Sequence, residues 1–145
     1  MSTYPNRAVA TVTARSWEES RVAEADSSHA IARATFTTTY GGDIEGESIC
    51  ALLISYLAGD PDKPETLEGP YVGYEQVSAT LGERSGTFVL SASGEHTGGV
   101  ARTEVVVVPG SGTGELRGLV GAGSYAAGTM EYSLRLDYDF EPGAP

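Results

Sequence analysis

The chain has 145 residues and a single cysteine, and its 20 Asp and Glu against nine Lys and Arg give a formal net charge of −11 at pH 7. A length of this order suits one domain that buries about two-thirds of its unfolded surface, so a core can form without covalent staples. The acidic balance, with cations scattered singly, excludes a basic face for nucleic acid or for an anionic membrane surface. The lone Cys50 excludes an intrachain disulfide. The opening MSTYPNRAVATVTARSW has neither a charged n-region nor an apolar h-region, and no apolar run approaches the roughly 20 residues of a spanning helix. The expected location is a reducing cytoplasm.

Taken in chain order, Ala8 to Trp17 alternates Val9, Thr11 and Thr13 with Ala10, Val12 and Ala14, a β-branched pattern that predicts a strand. Glu18 to Ser28 is acidic and aperiodic and is expected as a loop or a short helical turn. His29 to Tyr40, with its ATFTTTY run, predicts a second strand, and Gly41 to Asp43 a tight turn. Ile44 to Leu57 carries apolar residues on both faces, so the expectation is a strand buried on both sides. Ala58 to Pro70 gathers proline, glycine and charge into an extended mobile loop long enough to cover a barrel mouth. Further strands are predicted over Tyr71 to Leu81, Ser85 to Gly94, Gly99 to Pro109, Gly114 to Ala126 and Thr129 to Phe140. The last has the clearest period, with Met130, Tyr132, Leu134, Leu136, Tyr138 and Phe140 on one face.

About eight strands joined by short turns predict an all-β fold, an antiparallel barrel, with a two-sheet β-sandwich as the alternative. Residues 1–145 form one domain in this reading, with frayed ends at 1–7 and 141–145. The glycines between Leu81 and Gly123 fall where apolar runs must bend or turn.

Several segments carry a resemblance beyond composition: Ser16-Trp17 followed by acidic residues, GDIEGES from Gly42, YVGYE from Tyr71, GERSGTFVL from Gly82, VVPGSGTGELRGL from Val107, and the terminal LDYDF. Across most of its length the chain resembles a bacterial family of small uncharacterised proteins, a domain of unknown function related in fold to plant allene oxide cyclase and dirigent barrels. The resemblance implies an eight-stranded barrel of allene-oxide-cyclase type. It also implies relatives that steer reactive small molecules or bind hydrophobic ones, while the close family brings no assigned chemistry.

The familiar motifs fail on inspection. GSGTGE from Gly110 lacks the lysine followed by Ser or Thr of a phosphate loop. GAGSYA from Gly121 leads into a strand, so no helix N-terminus follows to hold a pyrophosphate. GESIC, from Gly46 to Cys50, lies within a strand pattern, which makes Ser48 a strand residue and not a nucleophile. His29 and His96 have no ligand-spaced partners, so no metal and no cofactor are expected. Glu95 and His96 read as a solvated turn, and Cys50 as a small buried hydrophobe.

Glu75 stands out, because it shares the more apolar face of its strand with Tyr71, Gly73, Val77, Ala79 and Leu81. A carboxyl there is desolvated, and burial raises its pKa toward general acid–base duty or the binding of a ligand's polar end. The alternatives are a structural pair with Arg33 or Arg84, or a reversed parity with Tyr74 inside. Tyr56 and Tyr132 are the tyrosines expected to act with Glu75. The expected pocket comprises Trp17, Phe36, Tyr40, Cys50, Leu52, Ile54, Tyr71, Val77, Phe88, Leu90, Val105, Val107, Met130, Leu134 and Tyr138, an apolar lining with a few polar tips.

Three functions compete. The first is a cofactor-independent isomerase or cyclase that preorganises a reactive apolar substrate, of polyketide, polyene or lipid type, in the barrel. The second is a non-catalytic carrier of a small apolar molecule, and the third a homo-oligomeric structural barrel with a filled interior. The length of the Ala58 to Pro70 segment, together with the mixture of small and aromatic residues facing inward, favours a binding cavity over a solid barrel.

Overall fold

Burial alternates residue by residue along nearly every strand, the signature of a sheet with one face in a core and one in water. The computed structural model describes residues 4–24, 30–60 and 63–142. Nine strands follow in order: β1 (Asn6–Glu24), β2 (Ala30–Gly42), β3 (Ile44–Tyr56), β4 (Ala58–Asp60), β5 (Lys63–Leu81), β6 (Arg84–Thr97), β7 (Val100–Val107), β8 (Leu119–Ala127) and β9 (Glu131–Phe140). Every pairing is antiparallel, in the order β3-β2-β1-β9-β8-β7-β6-β5, and β3 also pairs with β5. That last pairing closes an eight-stranded barrel, and β4 adds a short strand on the edge of β5. The sandwich alternative is thereby set aside.

The barrel interior takes Ala32, Ala34, Phe36, Thr38 and Tyr40 from β2, Leu52 and Ile54 from β3, Val77 from β5, and Phe88 and Leu90 from β6. Val105 and Val107 of β7 join them, with Leu134 and Leu136 of β9. Removing a Leu, Val or Phe side chain of this kind from water contributes about 1.5–3 kcal/mol. Where strands cross closely, glycine is obligatory: a Cβ on Gly73 would stand 2.0 Å from the Ala51 carbonyl oxygen.

Several sequence expectations are corrected. Glu18 to Glu24 is neither loop nor helical turn but the continuation of β1, beyond a bulge between Arg15 and Glu18 where Ser16 adopts φ 57°. The rest of that expected loop, with His29, lies outside the described residues. β3 is buried on one face only: Ile49 and Leu53 are exposed, beside Val72 and Tyr74 of β5. A continuous apolar run therefore misled the parity reading. The segment from Ala58 to Pro70 is a β-hairpin, with Ala58 opposite Glu68 and Asp60 opposite Lys63, and not an extended loop. Gly114–Leu116 is a 3-10 turn, and β8 starts only at Leu119. Of the ends expected to fray, Asn6 and Arg7 pair with Tyr138 and Asp137 and the Glu141 amide donates to the Gly118 carbonyl, while residues 1–3 and 143–145 lie outside the described residues.

β9 begins at Glu131, opposite Thr13, and the last link beyond it is the Ala14 amide to the Met130 carbonyl, at 2.7 Å. From the bulge onward β1 therefore pairs with β2 alone, and its other edge has no strand partner among the described residues.

Candidate functional site

Strand parity turns Glu75 inward, 3% exposed, while its neighbour Tyr74 faces out at 63%. Register sets Glu75 between Cys50 of β3 and Leu90 of β6. Arg33 and Arg84, the alternative structural partners, are both exposed. Its actual partners are neutral hydroxyls: Tyr40 Oη donates to Glu75 Oε2 at 2.5 Å and Ser48 Oγ donates to the same oxygen at 2.6 Å. Ser48 Oγ in turn lies 2.5 Å from Thr38 Oγ1, so with the serine proton committed to Glu75 the threonine is the donor.

Both bonds fall on Oε2, leaving Oε1 with none. No fully enclosed side-chain oxygen among the described residues lacks a partner. Oε1 is therefore not fully enclosed, although Glu75 as a whole is buried.

Desolvation pushes the Glu75 carboxyl above its ordinary range, and the Ser48 and Tyr40 bonds pull partly against it. The Tyr40 hydroxyl is raised by burial first and then by the Glu75 charge. Burial, followed by the same charge, raises the Cys50 thiol, so it is protonated and inert.

A second hydroxyl cluster adjoins the first. Tyr71 Oη lies 2.5 Å from Thr103 Oγ1, and Tyr125 stands opposite Thr103 in the register of β7 with β8. The Tyr125 and Tyr132 rings stack at 4.4 Å and 23°. Both hydroxyls are raised mainly by burial, with the Glu75 charge adding to it. Tyr132 and Tyr40 both stand opposite Val12, on either side of it, which brings the two clusters together.

This edge of β1 is flanked by aromatic groups. Trp17, 44% exposed, stacks on Phe36 at 4.8 Å, and Phe36 is paired in register with Cys50. Trp17 Nε1 and Tyr56 Oη donate to the two oxygens of Glu19, at 3.2 and 2.8 Å, and the Arg21 guanidinium lies 5.6 Å from the Tyr56 ring centre. Met130, whose carbonyl makes the last link to β1, is 47% exposed.

Of the three residues expected to do chemistry, Glu75 and Tyr132 are thus neighbours, whereas Tyr56 is bound to Glu19 at the rim. Among the expected lining residues, Trp17 and Met130 are rim groups and not part of the enclosed interior, because the bulge lifts one off the wall and the other precedes β9. Tyr138 is half-buried and meets Phe140 edge-on at 6.1 Å, with Arg84 stacked over Phe140. The remaining expected lining residues are buried. His96, expected in a solvated turn, has Nδ1 2.6 Å from the Leu67 carbonyl oxygen. Sequence reasoning missed Ser48, Thr38, Thr103 and Tyr125. The available signal was parity, since Ser48 shares a face with Cys50 and Thr38 with Tyr40.

A groove of about 720 Å3 over the outside of β6 to β9 is lined by Glu95, Arg102, Glu104 and Arg135 and reaches Thr103 and Tyr125. Among the described residues no helix is long and apolar enough to cross a membrane.

A family model described as a protein of unknown function (DUF3224) matches residues 8–140. The chain is also similar to a crystal structure of a protein with unknown function from the DUF3224 family from Shewanella oneidensis MR-1. That similarity has a TM-score of 0.75 and 26% sequence identity, and it covers 94% of this chain and 98% of that one. No curated protein matches the chain.

Proposed function

The chain belongs to the DUF3224 family, whose function is unknown, and from its own interior chemistry we propose that it is a barrel that binds a small apolar molecule by one polar end at Glu75. The observation that carries this reading is the unbonded Oε1 of a buried carboxyl whose other oxygen is fully engaged. A purely structural network tends to use both oxygens, because an unmade bond to a buried carboxyl is costly. Beyond its link to Met130 the described part of β1 pairs with β2 alone and carries Trp17, the edge at which a ligand would enter, and an apolar interior with a few convergent polar groups is the usual form of a small-molecule site.

Cofactor-independent isomerisation or cyclisation is the second reading, favoured by the upward shift of Glu75 beside Tyr40. A carboxyl raised above its ordinary range can give a proton to a carbonyl or alkene and take one back, while the barrel excludes water and fixes the substrate's fold. Such an isomerisation conserves the substrate's atoms, so no co-reactant is needed.

Native mass spectrometry of the protein as purified, with Nile red fluorescence as a neutral apolar probe, tests the binding reading. The expected results are a retained small molecule, or Nile red emission that brightens with the wild type and weakens when Cys50→Trp fills the interior. A protein that retains nothing and leaves Nile red dark overturns it.

A further inference from the structure

We infer that the molecule held at Glu75 is an organic cation, an apolar molecule carrying one protonated amine whose N–H donates to the unbonded Oε1. The inference rests on the binding reading above and adds the chemical class of the ligand.

Among the described residues the interior holds a carboxyl and no cation to match it. All nine Lys and Arg side chains are exposed, and the inward polar groups around Glu75 are the neutral Tyr40, Ser48 and Thr38. A fatty acid, a phosphate ester or any other anionic head would therefore bring a negative charge into the barrel with no cation there to offset it. A neutral alcohol or carbonyl would gain one uncharged hydrogen bond at Oε1. An ammonium gains a charge-assisted one and offsets the buried carboxylate, an interaction roughly twice as strong.

The surroundings match such a head in two further ways. The stacked Tyr125 and Tyr132 rings lie on the same side of the interior as the Tyr40 partner of Glu75, and aromatic rings attract ammonium groups most strongly where water is excluded. The chain's formal charge of −11 sets a negative field outside the barrel, which draws cations toward the mouth and repels carboxylates.

Where Glu75 carries its proton in the free protein, binding of this kind displaces it. The titratable groups that face Glu75 are Tyr40 from β2, Cys50 from β3, Tyr125 from β8 and Tyr132 from β9, and burial holds each of them neutral. Glu75 is then the group that ionises as the ammonium arrives, and its proton passes to solvent.

Isothermal titration at pH 6 with n-octylamine, 1-octanol and octanoate, three probes that differ only in their head, separates the outcomes. The expected result is octylamine binding at least about 30-fold tighter than either of the others, the low end of what one member of a buried ion pair contributes. Proton release should appear as a heat that changes between phosphate and Tris buffers, and Glu75→Gln should abolish the preference. If that variant does not fold, the proton release of the wild type still decides. Octanol or octanoate binding as tightly as the amine, or amine binding without proton release, overturns this inference and leaves the binding reading intact. No binding of any of the three overturns both.

Discussion

Replacing Glu75 by Gln removes a titrating group while keeping a side chain of the same shape, with an oxygen and an NH2 to meet Ser48 and Tyr40. The folded state holds the Glu75 proton more tightly than the unfolded chain does, because desolvation raises the carboxyl above its ordinary 4.5. A group of this sign contributes its full share of stability below the unfolded value and loses it as pH rises through the folded one. Between those two values the wild type should lose up to about 1.4 kcal/mol per pH unit relative to Glu75→Gln. The other carboxylates are common to both proteins and cancel in the difference. Urea unfolding followed by tyrosine and tryptophan fluorescence, at half-unit steps from pH 4.5 to 8, measures that difference. A flat difference, or a wild type that gains on the variant with rising pH, would show that the Ser48 and Tyr40 bonds outweigh desolvation, and the reasoning would fail.

Tyr40→Phe deletes one of the two bonds that favour the ionised carboxyl, so the Glu75 titration should move further upward in carboxyl 13C NMR, with a stability loss of about 1–3 kcal/mol in urea. An unmoved titration would mean that the bond does not form in solution. Cys50 should react with Ellman's reagent only on unfolding, since its thiol is buried and pushed up; fast native reaction would contradict the barrel interior. Gly73→Ala places a methyl 2.0 Å from the Ala51 carbonyl oxygen and should cost about 3 kcal/mol or prevent folding, read from the thermal midpoint. Trp17→Ala should cost only about 1 kcal/mol, because the stacked ring is nearly half exposed, and a loss several times larger would place Trp17 in the core.

The fold was legible wherever a strand has one wet face. β9 alternates Leu134 and Leu136 with exposed Ser133 and Arg135, and on β5 the more apolar face is the inward one, with Glu75 buried and Tyr74 exposed, which decides between the two parities the sequence left open. Pattern reading failed where outer and inner faces are both apolar, as with Ile49 and Leu53 on β3, since periodicity then carries no direction. It failed again at Glu18 to Glu24, where polar side chains hide a strand that tertiary pairing with β2 imposes. The carboxyl of the site could be found from one strand, but its partners could not. Ser48 and Tyr40 reach it from β3 and β2, and which rungs of the three strands align is fixed by register, which a single strand's pattern does not contain.

The pairing of β1 with β9 joins residues as far apart as Asn6 and Tyr138. During synthesis no barrel can exist until β9 has emerged, and until then β1 and β8 each wait with one side unpaired. Closure through β1 and β9 depends on the most distant contacts in the chain, a class of contact that slows folding. A chain cut short before β9 would be an open sheet with two adhesive edges and a wet Glu75, a species suited to aggregation and to capture by chaperones.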